Sequence, residues 1–221
     1  MYRTNAQSRS IEEQFIRYGV PYKIVGGVRF YDRAEIKDIM AYLRLIYQPE
    51  DLTSFRRIIN VPARSVGAKS VEQFLDWKFE KGLTMDEALT GVNNSPITPR
   101  AKVSINEFAN IIFNFRYESE NLSVSQLIDA LLRKIQYIKS IDDGSPQAES
   151  RIENLKELQS VAKAYSELGL TSFLEEVALV SDLDNLNDKN NSVTLMTLHA
   201  AKGLEFPVVF MPGLEETMLP H

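Results

Sequence analysis

Along most of this chain the apolar residues recur every three or four positions, the period of a helix with one buried face. Asp32, three residues before Glu35, opens a segment that puts Ile36, Ile39, Met40, Leu43 and Ile46 on one side. Asp51 predicts a cap for a helix carrying Phe55, Ile58 and Ile59. Residues 69–80 carry Val71, Phe74, Leu75 and Trp77, and Thr84 with Glu87 marks a shorter helix. Thr98-Pro99 reads as a cap followed by a proline in the first turn, where its missing N–H does no harm. The helix it starts carries Val103, Phe108, Ile111, Ile112 and Phe115. Ser123 and Gln126 cap a helix with Leu127, Leu131 and Ile135. Residues 147–168 predict the longest helix, ended by Gly169, and residues 171–180 the last.

The two ends break this rhythm. Residues 7–18 predict a helix, with Ser10 and Glu13 at capping-box spacing and Gly19 as a left-handed stop. Tyr22–Val25 reads as a short strand. Residues 193–210 read as an apolar strand, a polar turn with His199, Lys202 and Glu205, and a second apolar strand. A polar turn held between buried strands is where α/β proteins keep ligand groups.

The expected fold is mainly α: a helical inserted domain with small α/β stumps at both termini. Its boundaries are 1–25, 26–191 and 192–221, with breaks at Gly26-Gly27 and in the Asp-, Asn- and Lys-rich stretch 182–192. Stumps this short cannot build a full parallel sheet with its crossovers. The chain therefore reads as a cut-out from a larger protein.

Charge sharpens the picture. Residues 1–69 hold 12 Lys and Arg against 7 Asp and Glu, whereas the remainder holds 13 against 23. A basic third beside an acidic body allows one phosphate-binding face; solvated helix faces would give the same count. There is no cysteine, hence no disulfide or thiol chemistry, and two histidines make a metal site unexpected. No apolar run approaches the ~18 residues of a membrane span and no signal-peptide pattern opens the chain, so a cytoplasmic protein without membrane contact is expected.

Four stretches carry candidate chemistry. Tyr2-Arg3-Thr4-Asn5-Ala6-Gln7-Ser8-Arg9 packs cations and polar groups before a helix N-terminus, a natural place for phosphate and equally a well-capped helix. Gly26-Gly27 suits a hinge or a plain loop. Asn60 to Ser70, with Arg64, Ser65, Gly67 and Lys69, sits between two helices, where a glycine turn exposes N–H groups to phosphate or simply joins a helical hairpin. The fourth is the turn after residue 193.

The string Val-Thr-Leu-Met-Thr-Leu-His-Ala-Ala-Lys-Gly-Leu-Glu-Phe-Pro-Val-Val-Phe over 193–210 closely resembles motif V of the UvrD/Rep/PcrA DNA helicases. The opening stretch is similar to that family's Y-R-x-N-x-Q-S-R segment, and residues 26–38 resemble its junction between subdomains 2A and 2B. Asn60–Ser70 resembles its G-I-G helix-hairpin, with Ser65 in place of the first glycine. The resemblance implies that Arg3, Asn5, Thr197 and His199 lie towards single-stranded DNA, Gly203 and Glu205 towards nucleotide, and Arg64, Ser65, Gly67 and Lys69 towards duplex DNA. It implies Gly26 and Gly27 as a hinge.

The implied function is part of an ATP-dependent 3′→5′ DNA helicase. Its parent would use ATP and Mg²⁺, bind single strands and duplex junctions, and meet repair or transcription proteins through 2B. No Gly is followed by Lys, so the phosphate loop G-x-x-x-x-G-K-[ST] is absent, and this chain alone is expected to be inactive and to bind no cofactor. Two other readings remain open: a non-enzymatic helical interaction or autoinhibitory module, and a helicase–nuclease subunit.

Overall fold

A computed structural model describes residues 1–3, 7–185 and 192–214. In chain order the helices are α1 (Ser8–Arg17), α2 (Ala34–Tyr47), α3 (Leu52–Ile58), α4 (Ala68–Glu80), α5 (Met85–Thr90), α6 (Pro99–Glu118), α7 (Val124–Lys134), α8 (Tyr137–Ile141), α9 (Pro146–Lys163) and α10 (Gly169–Asn185). The strands are β1 (Tyr22–Val25) and β2 (Val193–Met196), paired in parallel. The molecule is mainly α, as expected. Among the described residues no helix is long and apolar enough to cross a membrane.

Local chemistry starts most helices where the sequence places them. Asp51 accepts from the Ser54 N–H, and Thr98 from the Ala101 N–H with Pro99 in the first turn. Thr84 with Glu87, and Ser123 with Gln126, form complete capping boxes. Each such cap stabilises its helix by about 1 kcal/mol.

The helices depart from expectation in several places. The Ser10/Glu13 capping box does not form: α1 begins at Ser8, which puts Ser10 inside the first turn, bonded back to the Gln7 carbonyl at 3.4 Å. Asp32 lies in a short 3-10 turn, and Glu35 accepts instead from Asn154 at 2.6 Å. The long helix over 147–168 stops at Lys163, because residues 164–166 tighten to three-residue bonds and the Ser166 hydroxyl takes the Lys163 carbonyl. Gly169, at φ +77°, then opens α10 rather than only ending a helix, and α6 is the longest helix described. On α6, Val103 is 60% exposed, off the buried stripe of Phe108, Ile112 and Phe115.

By contacts the chain forms two compact units. The first is Met1–Ile36, Asp142–Ser160 and Glu175–His221; the second is Lys37–Ile141 and Val161–Leu174. This partition groups Gly26, Gly27 and most of α9 with the two terminal segments, and so cuts the chain elsewhere than at 25/26 and 191/192.

The second unit closes on an aromatic core. The Phe55 ring lies 5.8 Å from Phe74 and 5.9 Å from Phe108, and Tyr42 lies 6.2 Å from Phe108, all buried. Such ring pairs add roughly 0.5–1.5 kcal/mol each beyond the area they bury.

The first unit is built differently. Tyr2, Tyr22 and Leu195 form its apolar centre, with Ile11, Phe15, Ile16 and Ile24 packed around them. A buried polar knot adjoins it. Arg33 donates to Asn154 Oδ1 at 2.7 Å, to Ser8 Oγ at 2.8 Å and to the Val28 carbonyl at 3.3 Å. Ser8 donates to Glu12 at 2.5 Å, and Glu12 also accepts from the Phe30 N–H at 3.2 Å. The knot fastens α1, the start of α2 and α9 to one another. Burial, partly offset by Glu12 and Glu35, lowers the Arg33 pKa.

The second terminal strand does not form. Residues 206–211 run as exposed irregular chain, with Val208 at 70% and Phe210 at 79%. A strand needs a ladder, and the N-terminal amine of Met1 on the Phe210 carbonyl at 2.7 Å is the single bond the segment makes to distant backbone among the described residues. With Ile11, Phe15 and β2 it lines an apolar hollow of about 770 Å³.

Candidate nucleic-acid interface

The turn after β2 is built from the pairing outward. Tyr22 to Val25 register against Val193 to Met196, and Tyr2 bridges Thr197 beyond them. The Tyr2 N–H donates to the Met196 carbonyl at 3.0 Å, and the Leu198 N–H to the Tyr2 carbonyl at 2.9 Å. The chain's first residues thus dock on the far side of β2. Thr197 caps the turn: its hydroxyl accepts from the Ala200 N–H at 3.2 Å and its carbonyl from the Ala201 N–H at 3.1 Å.

On this frame Arg3 and His199, 196 residues apart, meet with Nη1 and Nδ1 at 3.4 Å. Arg3 is steadied by its own N–H on Gln7 Oε1 at 2.9 Å. Gly203 holds φ +81°, a conformation that favours glycine, and open space surrounds its Cα. Lys202 and Glu205 are exposed and make no side-chain bond among the described residues. Asn5 lies outside the described residues, as do Glu215 and Glu216 after the turn.

Arg9, the other cation of the opening stretch, turns inward. It is buried, lies 4.8 Å over the Tyr31 ring, and donates to the Tyr31 hydroxyl at 2.9 Å. Tyr2 is buried too, and desolvation, reinforced by Glu12, raises its pKa. Most of that stretch is therefore scaffold, and Arg3 is its outward cation among the described residues.

Gly26 and Gly27 are exposed. Gly26 has φ +73°, a conformation that favours glycine, and a Cβ there would stand 3.1 Å from the Ala200 Cβ and press on the turn beside it.

The turn in the second unit divides its four sequence-selected residues. Arg64 is half-buried, with Nη1 donating to the carbonyls of Ile58 and Val61 at 3.0 Å and of Ile59 and Pro62 at 3.3 Å. Its other nitrogen bonds the Tyr42 hydroxyl, and the guanidinium sits 5.4 Å over Phe108. Burial pushes the Tyr42 pKa up to about 12 even with Arg64 beside it. Arg64 thus serves the end of α3.

Ser65, Gly67 and Lys69 face outward. Ser65 holds φ +61°, which explains why a glycine suits this place. Gly67 caps α4 at φ −77° with nothing within 4 Å of a Cβ, so neither strain nor packing requires glycine there. The Ser70 and Val71 N–H groups donate to the Gly67 carbonyl at 2.9 and 3.2 Å, which leaves those of Ala68 and Lys69 at the start of α4 without an intrahelical acceptor. Lys69 is exposed and its side chain makes no bond among the described residues. The structure adds Arg100, which donates to Ser65 Oγ at 2.8 Å. No local pattern could have revealed it, since it lies 35 residues away. Among the described residues no group of three or more acidic or histidine side chains could hold a metal ion.

A polar turn built from both ends of the chain, and a helical unit with an exposed turn before α4, are both found in a chain that matches a known class. The whole chain, residues 1–221, matches the model of the UvrD-like helicase C-terminal domain, and it belongs to that family. It is similar to the ATP-dependent DNA helicases PcrA of Bacillus subtilis strain 168, at 44% identity over 232 residues, and of Staphylococcus epidermidis, at 43% over 228. PcrA of Staphylococcus aureus is 41% identical. All of this chain is covered in each case, against 31% of the relative, so it spans about a third of their length.

Proposed function

We propose that this chain is the 2B subdomain with flanking pieces of 2A from an ATP-dependent 3′→5′ DNA helicase, with residues 26–191 as 2B and residues 1–25 and 192–221 as 2A. The observation that carries the reading is the meeting of Arg3 with His199 beside the Thr197-capped turn. Two segments that share no local sequence converge on one exposed polar corner, which suits contact with DNA phosphates.

In this reading Arg3, Asn5, Thr197 and His199 face single-stranded DNA, and Gly203 and Glu205 form one wall of the nucleotide site. The open space at Gly203 lets a phosphate or ribose approach the backbone. ATP with Mg²⁺ supplies the free energy for strand separation in the parent; this chain contributes the corner that touches both ligands. The turn with Ser65, Gly67 and Lys69 contacts duplex DNA. Residues 206–211 pair with further strands of the parent, which is cytoplasmic and meets its protein partners through 2B.

The test uses the full-length helicase. Arg3→Ala and His199→Ala should each lower DNA-stimulated ATP hydrolysis ~10-fold or more while the DNA-free rate stays unchanged, as expected for lost charge-assisted contacts of ~1.5–3 kcal/mol. Equal loss with and without DNA would remove this corner from the DNA path. The isolated chain should hydrolyse no ATP, and turnover that survives purification would contradict the reading.

A further inference from the structure

The corner where α7 passes into α8 carries two cations that neither turn uses. Its inner side is fixed. Leu131, Ile135 and Tyr137 are buried, the Tyr137 hydroxyl donates to Asp38 at 2.6 Å, and Asp38 is paired with Arg57 at 2.8 Å. Gln136 holds φ +51° to make the bend. With those residues pinned inward, Lys134 and Lys139 are exposed, and neither makes a hydrogen bond or ion pair among the described residues.

Both lysines line an open groove of about 430 Å³ whose other side is Pro62, Ala63 and Arg64. Among the described residues no carboxylate lines it. Ile111 and Ile135 supply apolar wall, and a low-dielectric wall strengthens the field of cations beside it. Arg64 adds positive charge although its N–H groups are spent on carbonyls.

We propose that this groove is a second phosphate-binding site, which takes the sugar–phosphate backbone of a nucleic-acid strand through Lys134 and Lys139. The ligand class follows from charge and from continuity. Residues 62–64 line the groove and lead directly into the turn of Ser65, Gly67 and Lys69, so a strand whose phosphates reach that turn passes next along the groove. The inference rests on the duplex-contact reading for its ligand. Two flexible ammonium groups over an apolar wall offer point charges and no planar fork, so the site reads backbone and no base sequence.

The experiment titrates a fluorescein-labelled mixed-sequence duplex with the whole chain, by anisotropy, at several salt concentrations. The variants are Lys134→Gln/Lys139→Gln, Lys69→Glu, and Lys81→Gln as an exposed lysine of the same unit. The double variant should bind ~5–10-fold more weakly at low salt, and its log–log salt slope should fall by about 1.8, two phosphate contacts at ~0.9 each. Lys81→Gln should change neither, and melting should show all variants folded. Unchanged affinity and slope in the double variant, with loss in Lys69→Glu, would overturn the groove and keep the turn. The reverse pattern keeps the groove and removes the turn. Wild-type chain that shows no salt-dependent duplex binding overturns both. Displacement of the duplex by poly-glutamate as readily as by unlabelled DNA would overturn the nucleic-acid assignment in favour of an acidic peptide.

Discussion

Two inward-turned arginines, one in each unit, hold their surroundings by opposite means. Arg33 sits in a closed set of side chains, with Ser8, Glu12 and Asn154 all buried around it. Arg64 sits on main-chain carbonyls at the end of α3 and over aromatic rings. Side-chain partners drawn from α1 and α9 make a joint that fails as a whole, because removing one strands the others without solvent. Carbonyls at a helix end can fall back on water. The first unit therefore depends on polar satisfaction, and the second on its aromatic core.

The largest expected effect tests that difference directly. Arg33→Leu should destabilise the first unit by about 3–5 kcal/mol, since Glu12 and Asn154 lose a buried partner. Arg64→Leu should cost only about 1–3 kcal/mol in the second unit. Hydrogen exchange resolved along the chain separates the two losses, and equal losses would break the comparison.

Beside Arg64 a smaller effect has the opposite sign. Ser65→Gly should stabilise the second unit by up to about 1 kcal/mol, because an L-residue in the left-handed region is strained by about 1–2 kcal/mol and the lost Arg100 bond is exposed. Chemical denaturation reads this. A less stable variant would mean that the Ser65 hydroxyl matters more than its backbone.

Acidity should give the smallest effect, and it should run in opposite directions in the two units. Burial raises Glu157 in the first unit above its ordinary value of 4.5, although Arg9 lowers it. Its contribution is present below that value and lost as pH rises through the raised pKa. Backbone and side-chain bonds from Thr84 hold Glu87 in the second unit below 4.5, so its contribution is present above that value and lost as pH falls. Melting between pH 3 and 8 should show Glu157→Gln gaining on wild type towards neutrality. Glu87→Gln should lose there and converge with wild type in acid. A Glu157→Gln chain that loses stability at neutral pH would mean the carboxylate is a needed partner.

The caps at Asp51, Thr84, Thr98 and Ser123 were legible because both partners lie within four residues. The strand Tyr22–Val25 was legible for the same reason, being apolar and bounded by turn residues. Arg33 with Asn154 spans 121 residues, and nothing in either neighbourhood announces the other. The apolar run over 206–211 signals a strand truthfully as far as propensity goes, but a ladder partner is not a local property. At the candidate site the sequence singled out two turns whose Ser65, Gly67, Lys69, Lys202 and Glu205 are exposed. It did not foresee that Arg64 and Arg9 face inward, because a cation's direction is set by carbonyls and rings that the fold delivers.

A glycine pair invites the idea of freedom, yet the 3.1 Å that would separate a Cβ at 26 from the Cβ of Ala200 makes this glycine a matter of clearance. The room is one methyl group wide, shared between positions 174 residues apart. Side-chain size at 26 and at 200 is consequently coupled: a larger residue at either position presses the two apart by a few tenths of an ångström, within the turn that carries His199. Bulk alone, at a position that carries no charge, thus bears on the turn that brings His199 to Arg3.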